Sequence, residues 1–565
     1  MTRSKILGIV ALTAATALPL LMISDPAMAQ PTDAPASDFK AAADAIVAAS
    51  YPADGPGAAV IVTRGGKVIY SAGRGLADLE KRRPITLDTR FRLGSIVKQF
   101  TAATVLKLVE EGKMSLDDPV SRFIPDYPQP GAKATVRQLL NHTSGIQDFS
   151  KIPGWISRNR HRPLTTEQLL AVFRDLPPKA RPGTAWEYNN GGYVLLGAII
   201  ERVTGKAWHE AMDERIMKPL GLGSISHPAP GALDDLAARG YTDDDGKQVP
   251  IALSHLNIAH AAGGLQGSVA DMARWAQALH HGKVVRADLY KEMTSPARLA
   301  DGSTESYGMG LRLRQVRGRP ALVHGGAGGG LDTDSAYIPS DDLFVAVFAN
   351  SDDPQTDTAS VVRRLAALAL GQPVPTFTRT NVDLASIEPL TGLYSVDKGP
   401  ARRFFTRGGK VYMARGDDEL EVIPAGNDRF FLASDDLTWL GFTRRPDGAH
   451  ELDVHRVDLA KPDRAVRTGP IPADAQVTIP AAVLQSYVGT YSTDAGPKAT
   501  VEMGKDGWLT IQLNSPPLTM RPVSLTEFMV DEAKSRVIFH PENGKVSRFT
   551  IKRGARELTG TRISP

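Results

Sequence analysis

Phe91-Arg92-Leu93-Gly94-Ser95-Ile96-Val97-Lys98-Gln99-Phe100 is the stretch from which the rest of the chain can be read. Apolar residues recur at Ile96, Val97, Phe100, Ala103, Leu106 and Val109 until Gly112 offers a stop, which predicts a helix opening at Ser95. Residues three apart share a helix face, so Lys98 stands one turn above the Ser95 hydroxyl. A helix N-terminus also offers free N–H groups and a positive dipole end, both of which favour developing negative charge. A second match to S-x-x-K, Ser395-Val396-Asp397-Lys398, follows the strand-like Leu393-Tyr394 and runs into Gly399-Pro400, so no helix carries its lysine.

Working outward, two further motifs follow in order: Tyr188-Asn189-Asn190 and His324-Gly325-Gly326. A serine hydroxyl is a weak nucleophile near neutral pH and needs a partner to take its proton. Lysine serves if desolvation or a nearby positive charge lowers its pKa, and a tyrosine phenolate beside it is the other candidate. Tyr188 follows the turn signal Arg181-Pro182-Gly183-Thr184 and precedes the helical pattern of Tyr193, Leu195, Leu196, Ala198, Ile199 and Ile200, so it sits on a loop that can point into a cleft. Asn190 is placed to hydrogen-bond the lysine or a substrate amide. Ala321-Leu322-Val323-His324 reads as an edge strand ending in glycines, where a substrate backbone can approach closely. The N–H groups of Ser95 and Ala327 are the expected oxyanion donors. Taken singly, these motifs read as a surface helix, a turn and a core histidine. As an ordered set on helix, loop and strand they describe a serine acyl-transfer site.

This set resembles the serine beta-lactamase and penicillin-binding-protein-related hydrolases, a group that includes D-aminopeptidases, D-alanyl-D-alanine carboxypeptidases and esterases. Leu139-Leu140-Asn141-His142-Thr143-Ser144-Gly145, Gly263-Gly264-Leu265, Tyr307-Gly308-Met309-Gly310 and Phe348-Ala349-Asn350 resemble further landmarks of that family. The resemblance implies Ser95 as the acylated nucleophile, Lys98 and Tyr188 as the proton-transfer pair, Asn190 as support and His324 as the third-motif residue. It assigns His142 a structural role. Many relatives carry lysine where His324 stands; a mostly neutral histidine anchors a substrate carboxylate less well, which tilts the expectation toward aminopeptidase, endopeptidase or esterase chemistry. Asp332 and Asp334, read as part of a glycine-rich loop beginning at Gly328, are candidates for holding a substrate ammonium together with Gly325 and Gly326, with ordinary turn residues as the alternative.

Element order predicts an α+β catalytic domain in which helices and an all-helical subdomain pack on an antiparallel sheet. The run Ala58 to Val62, the turn Thr63-Arg64-Gly65-Gly66 and Lys67 to Ala72 are expected to form a hairpin at the sheet edge. Beyond Gly371-Gln372-Pro373-Val374-Pro375 the sequence is strand-like and repeats. Leu390-Thr391-Gly392-Leu393-Tyr394-Ser395 recurs as Tyr487-Val488-Gly489-Thr490-Tyr491-Ser492, and Phe430 recurs as Phe528, at an offset of just under a hundred residues. Two small antiparallel β-barrels are expected. The domains are therefore read as 1–29, 30–372, 376–470 and 478–565. This layout resembles D-aminopeptidases, in which a barrel loop restricts the active site, yet Leu513-Asn514-Ser515-Pro516-Pro517 supplies no acidic residue for an amine.

Composition bounds the remaining possibilities. Arg3 and Lys5 precede the apolar stretch Ile6 to Ile23, and Ala27-Met28-Ala29 is a small-x-small cleavage signal, so residues 1–29 read as a secretory signal peptide and the product as periplasmic or secreted. Cleavage removes Arg3, Lys5 and Asp25, taking the formal charge of +4 to +3, which makes no case for nucleic acid or a membrane surface. With 0 cysteines there is no disulfide, cysteine nucleophile or thiolate metal site. No H-E-x-x-H and no G-x-S-x-G occurs, so neither a zinc site nor an α/β-hydrolase elbow is expected, and no cofactor. The expectation is an exported serine hydrolase, free of a membrane anchor and open to homodimer formation. It cleaves amide bonds of small peptides containing D-residues through an acyl-enzyme on Ser95. A carboxylesterase with the same residues and a non-catalytic peptidoglycan-binding protein are the alternatives.

Overall fold

A computed structural model describes residues 36–564, apart from 229–234, 253, 353–356, 397–399, 417, 472–478, 505–506, 514–515, 531–532, 534, 543–544 and 554–555. The signal peptide expected over 1–29 lies outside the described residues.

The catalytic domain is built on a six-stranded antiparallel sheet. Its strands are β1 (Ala58–Arg64), β2 (Lys67–Arg74), β3 (Arg312–Val316), β4 (Arg319–Ala327), β5 (Asp332–Ile338) and β6 (Leu343–Ala349), in the spatial order β3-β4-β5-β6-β1-β2. The predicted edge hairpin is β1–β2, with Gly65 and Gly66 both at positive φ in its turn. Strands β1 and β6 are apolar without alternation because both faces are covered. Ala59, Ile61, Phe344, Ala346 and Phe348 join the core beneath the helical subdomain. Val60, Val62, Val345 and Val347 point the other way, against α1 (Ala36–Ser50) and the C-terminal helix of the domain. Each such fully buried side chain stabilises the fold by about 1.5–3 kcal/mol.

The helical side contains α2 (Val97–Glu110), α3 (Asn190–Thr204) and α4 (Val269–His280), and α5 (Thr358–Ala369) completes the opposite layer. Helix α2 is preceded by a single 3-10 turn, Gly94–Ile96, that carries Ser95. Two strand assignments differ from the sequence expectation. Asp332 and Asp334 begin β5 and pair with Ala327 and Gly325, so they are not loop residues. β4 is not the outermost strand, because β3 pairs with it, but β3 ends with Arg312 opposite Val323 and leaves 324–327 as a local open edge.

Both C-terminal repeats are closed eight-stranded antiparallel barrels, the first from Gly392–Ser395 to Asp463–Gly469 and the second from Gly489–Thr493 to Arg556–Ser564. The repeated tyrosines close equivalent turns. Tyr394 Oη donates to Leu390 O at 2.6 Å, and Tyr491 Oη donates to Tyr487 O at 2.8 Å. The first barrel docks on the catalytic domain. Leu437 and Val457 bury against Ala367 and Val374, while Arg317 N and Gly318 N in the β3–β4 turn donate to Val457 O and Asp458 O at 2.7 and 2.9 Å.

Candidate active site

Ser95 is held where the 3-10 turn meets β4. Gly94 takes φ +51°, and a Cβ built on Gly326 would stand 2.1 Å from Leu93 O and 2.7 Å from Ser95 N. Only a residue without a side chain lets the strand come this close. A Cβ on Gly94 would in turn lie 2.9 Å from Ala327 N, so the N–H groups of Ser95 and Ala327 face one seam. Thr333 Oγ1 ties it together, donating to Gly326 O and Leu93 O at 2.9 and 3.1 Å.

Lys98 is the chemical centre. Its side chain is 0% exposed, and Nζ donates to Ser95 Oγ at 3.0 Å, Asn190 Oδ1 at 2.9 Å and Ala262 O at 2.9 Å. Burial pushes its pKa down to about 7; the Asp148 carboxylate opposes the fall and Arg312 adds to it. All three ammonium hydrogens are engaged, so Lys98 meets Tyr188 through the ring face, 4.8 Å from its centroid, and not through its oxygen. The Tyr188 hydroxyl is hydrogen-bonded to Ser95. Burial nevertheless raises its pKa to about 12, so it is a neutral phenol at ordinary pH. Of the two candidates for the base, only the lysine is substantially in its basic form near neutrality.

Asn190 opens α3, whose first turn is capped by Asn189 Oδ1 accepting from Gly192 N at 2.9 Å. Its amide is oriented from behind: Nδ2 donates to Ser150 Oγ at 3.0 Å and its backbone N to Asp148 Oδ2 at 3.0 Å, which leaves Oδ1 for Lys98. Asp148 is 2% exposed and also accepts from Ser150 N and Ser150 Oγ.

His324 is buried, and desolvation with the Lys98 charge drives its imidazole down to about 3. Nδ1 contacts Gly325 O at 2.7 Å, and a carbonyl can only accept, so Nδ1 carries the hydrogen and Nε2 accepts from Tyr307 Oη at 3.0 Å. Tyr307, Tyr188 and Tyr193 surround His142, whose ring centroid lies 4.6, 4.5 and 5.2 Å from theirs and whose Nδ1 accepts from Asn189 N. His142 therefore supports the loop bearing Tyr188.

Two cavities meet at Ser95. One, about 250 Å³, is lined on its apolar walls by Phe149, Ile156, Leu256 and Ile258. The other, about 820 Å³, wraps the open edge of β4 and reaches the first barrel. Asp332 and Asp334 belong to the outer side of that edge. Ser95 packs on Gly326, whereas the Asp334 carboxylate lies against Gly325, which points the other way, and Asp332 accepts from Thr358 N and Oγ1. The residues gathered at the nucleophile are thus Ser95, Lys98, Tyr188, Asn190, Gly326 and Ala327; the two aspartates and Gly325 are separated from it by the strand.

Sequence reasoning missed Asp148, Ser150, Ala262 and Arg312. The Arg312 guanidinium lies 5.1 Å from the Tyr188 ring centroid and supplies the fixed positive charge that His324 lacks. The signal was adjacency: each lies within five residues of Gly145, Gly263 or Gly310, which belong to the family landmarks. Among the described residues no group of three or more His, Asp or Glu is arranged to hold a metal ion.

The family model described as Beta-lactamase matches residues 43–370. A penicillin-binding protein of Bacillus subtilis is 27% identical over 434 residues, spanning 72% of this chain and 94% of that protein. A D-aminopeptidase of Brucella anthropi is 28% identical over 415 residues, with 71% and 78% covered. Among solved structures, a D-stereospecific amidohydrolase from Streptomyces superposes with a TM-score of 0.51 at 28% identity, covering 59% of this chain and 98% of that one. With a family model spanning more than half its length, the chain belongs to the beta-lactamase family of serine hydrolases.

Proposed function

We propose that this protein is an exported serine amidase that cleaves small peptides or amides containing a D-residue through an acyl-enzyme on Ser95. The observation that carries the reading is Lys98, fully buried, 3.0 Å from Ser95 Oγ and with its pKa lowered to about 7. In its neutral form Lys98 takes the Ser95 proton as the hydroxyl attacks the carbonyl. The N–H groups of Ser95 and Ala327 then face the tetrahedral oxyanion. Tyr188, hydrogen-bonded to Ser95, gives its phenolic proton to the departing nitrogen as the proton held by Lys98 replaces it, and water repeats the sequence in reverse to free the acyl group. The apolar cavity beside Ser95 is sized for one aliphatic or aromatic side chain. Preference for D-residues rests on the D-aminopeptidase and D-stereospecific amidohydrolase among the relatives.

A turnover panel tests this: D-phenylalanine p-nitroanilide, its L-isomer, a D-alanyl dipeptide, p-nitrophenyl acetate and nitrocefin. The expected order places the D-anilide and D-peptide first and nitrocefin last. Turnover of the ester alone would replace amidase with esterase. Export is tested separately by sequencing the mature N-terminus, which is expected at Gln30.

A further inference from the structure

The 820 Å³ chamber is larger than a single amino acid requires, and its charges are unequal in kind. Its acidic residues are mostly committed. Asp332 accepts from Thr358, Asp357 caps α5 by accepting from Ser360 N and Oγ, Asp435 accepts from Leu437 N and Thr438 Oγ1, and Asp458 pairs with Arg456 at 2.7 Å. Its other arginines are not. Arg312 and Arg314 alternate along β3, Arg363 projects from α5, and none of the three makes an ion pair of 4.0 Å or less with a described residue. Elsewhere in the domain Arg137, Arg215, Arg239, Arg274 and Arg319 all do. Arg314 stands close to both of the others: burial lowers its pKa, and Arg312 and Arg363 add to the fall. Asp334 faces them from β5: burial raises it to about 7 while Arg363 and the Ser335 backbone N–H oppose the rise, so it offsets them only in part near neutrality.

We propose that this chamber is the binding site for a leaving group carrying two carboxylates, with Arg312 at the end nearest Ser95 and Arg314 and Arg363 farther out, roofed by the first barrel. The inference rests on the amidase reading for its orientation: the acyl side chain occupies the apolar cavity, and the departing amine crosses the open edge of β4 into the chamber. Guanidinium forks match carboxylates bidentately, so a peptide ending in D- or L-glutamate or aspartate, with side-chain and terminal carboxylates, satisfies the cluster where a neutral amide does not. The first barrel contributes Asp435, Leu437, Thr438 and Arg456 to Asp458 as the far wall, where Arg456 is paired with Asp458. Specificity for the leaving group is thus assembled from two domains.

The test is binding of N-acetyl-D-glutamate and of its diamide to the full-length protein by calorimetry, repeated with R314Q/R363Q and R314K/R363K. The expected result is at least about tenfold tighter binding of the dicarboxylate by the natural sequence. That ratio should fall toward one in the glutamine pair, be largely kept in the lysine pair, and shrink as salt rises. Equal binding of acid and diamide, or a ratio unchanged by the glutamine pair, overturns the proposal. Hydrolysis of D-alanyl-D-glutamate against D-alanyl-D-glutamine is measured alongside. A ratio near one in the natural sequence with both peptides still cleaved rejects the chamber alone, whereas a tenfold ratio in the natural sequence with neither peptide cleaved rejects the amidase reading.

Discussion

The two faces of β4, one residue apart, are built on opposite principles. Gly326 turns toward Ser95 and a dry interior in which burial strips charge: Lys98 falls to about 7 and His324 to about 3. Gly325 turns toward Asp334 and a wide chamber where three guanidinium groups keep theirs. This nucleophile needs a neutral amine at working pH, which desolvation chiefly supplies. A binding site for anions needs a charge that persists at working pH, which solvent-accessible arginine supplies. The strand separates the two requirements so that neither compromises the other.

Lys98→Arg breaks the dry side most severely. Arginine keeps the positive charge and cannot deprotonate, so kcat/KM should drop by about a thousandfold or more while circular dichroism stays that of the parent. Comparable turnover by this variant would mean that the lysine is only a charge. Next in size is a paired substitution. A Cβ at Gly326 meets backbone, Leu93 O and Ser95 N, which cannot yield; a Cβ at Gly325 meets chiefly the Asp334 Oδ2 atom at 2.6 Å, which can swing aside. Gly326→Ala should therefore cost about a hundredfold in kcat, and Gly325→Ala less than about tenfold. Equal losses would erase the distinction between the faces.

Asp148→Asn sharpens the same comparison through pH. The Asp148 carboxylate holds the Lys98 pKa up, so its removal should move the acidic limb of kcat/KM to lower pH, and a shift upward would contradict the assignment. Leu437→Ala loosens only the wet side. It empties a seam between barrel and catalytic domain, and a destabilisation of about 2–3 kcal/mol in thermal unfolding is expected, with the acidic limb unmoved.

Much of this was legible in the chain. The periodicity from Ile96 to Val109 predicted α2 and the rise of Lys98 over Ser95, because i to i+3 proximity is a property of any helix. The two barrels followed from the repeat around Tyr394 and Tyr491, whose hydroxyls bond the carbonyl four residues back in both copies. What could not be read were the contacts made across long sequence separation. Ala262 meets Lys98 through a carbonyl, which has no side-chain signature, and Asp148 acts through Asn190 from 42 residues away. The strand of Asp332 and Asp334 was hidden because it begins two residues after Gly328-Gly329-Gly330 with aspartates of low strand propensity, which pairing with β4 overrides. Lys98 and Tyr188, expected as a proton-transfer pair, meet ring to nitrogen, since Asn190 and Ala262 O take the remaining lysine hydrogens.

The pH dependence of Ser95 phosphonylation by a fluorophosphonate, followed by peptide mapping, bears most directly on the central claim. With Lys98 as the base, the labelling rate rises with pH through a single midpoint near 7, as the amine loses its proton. A midpoint near the ordinary lysine value, or a rate flat from pH 5 to 9, would contradict it.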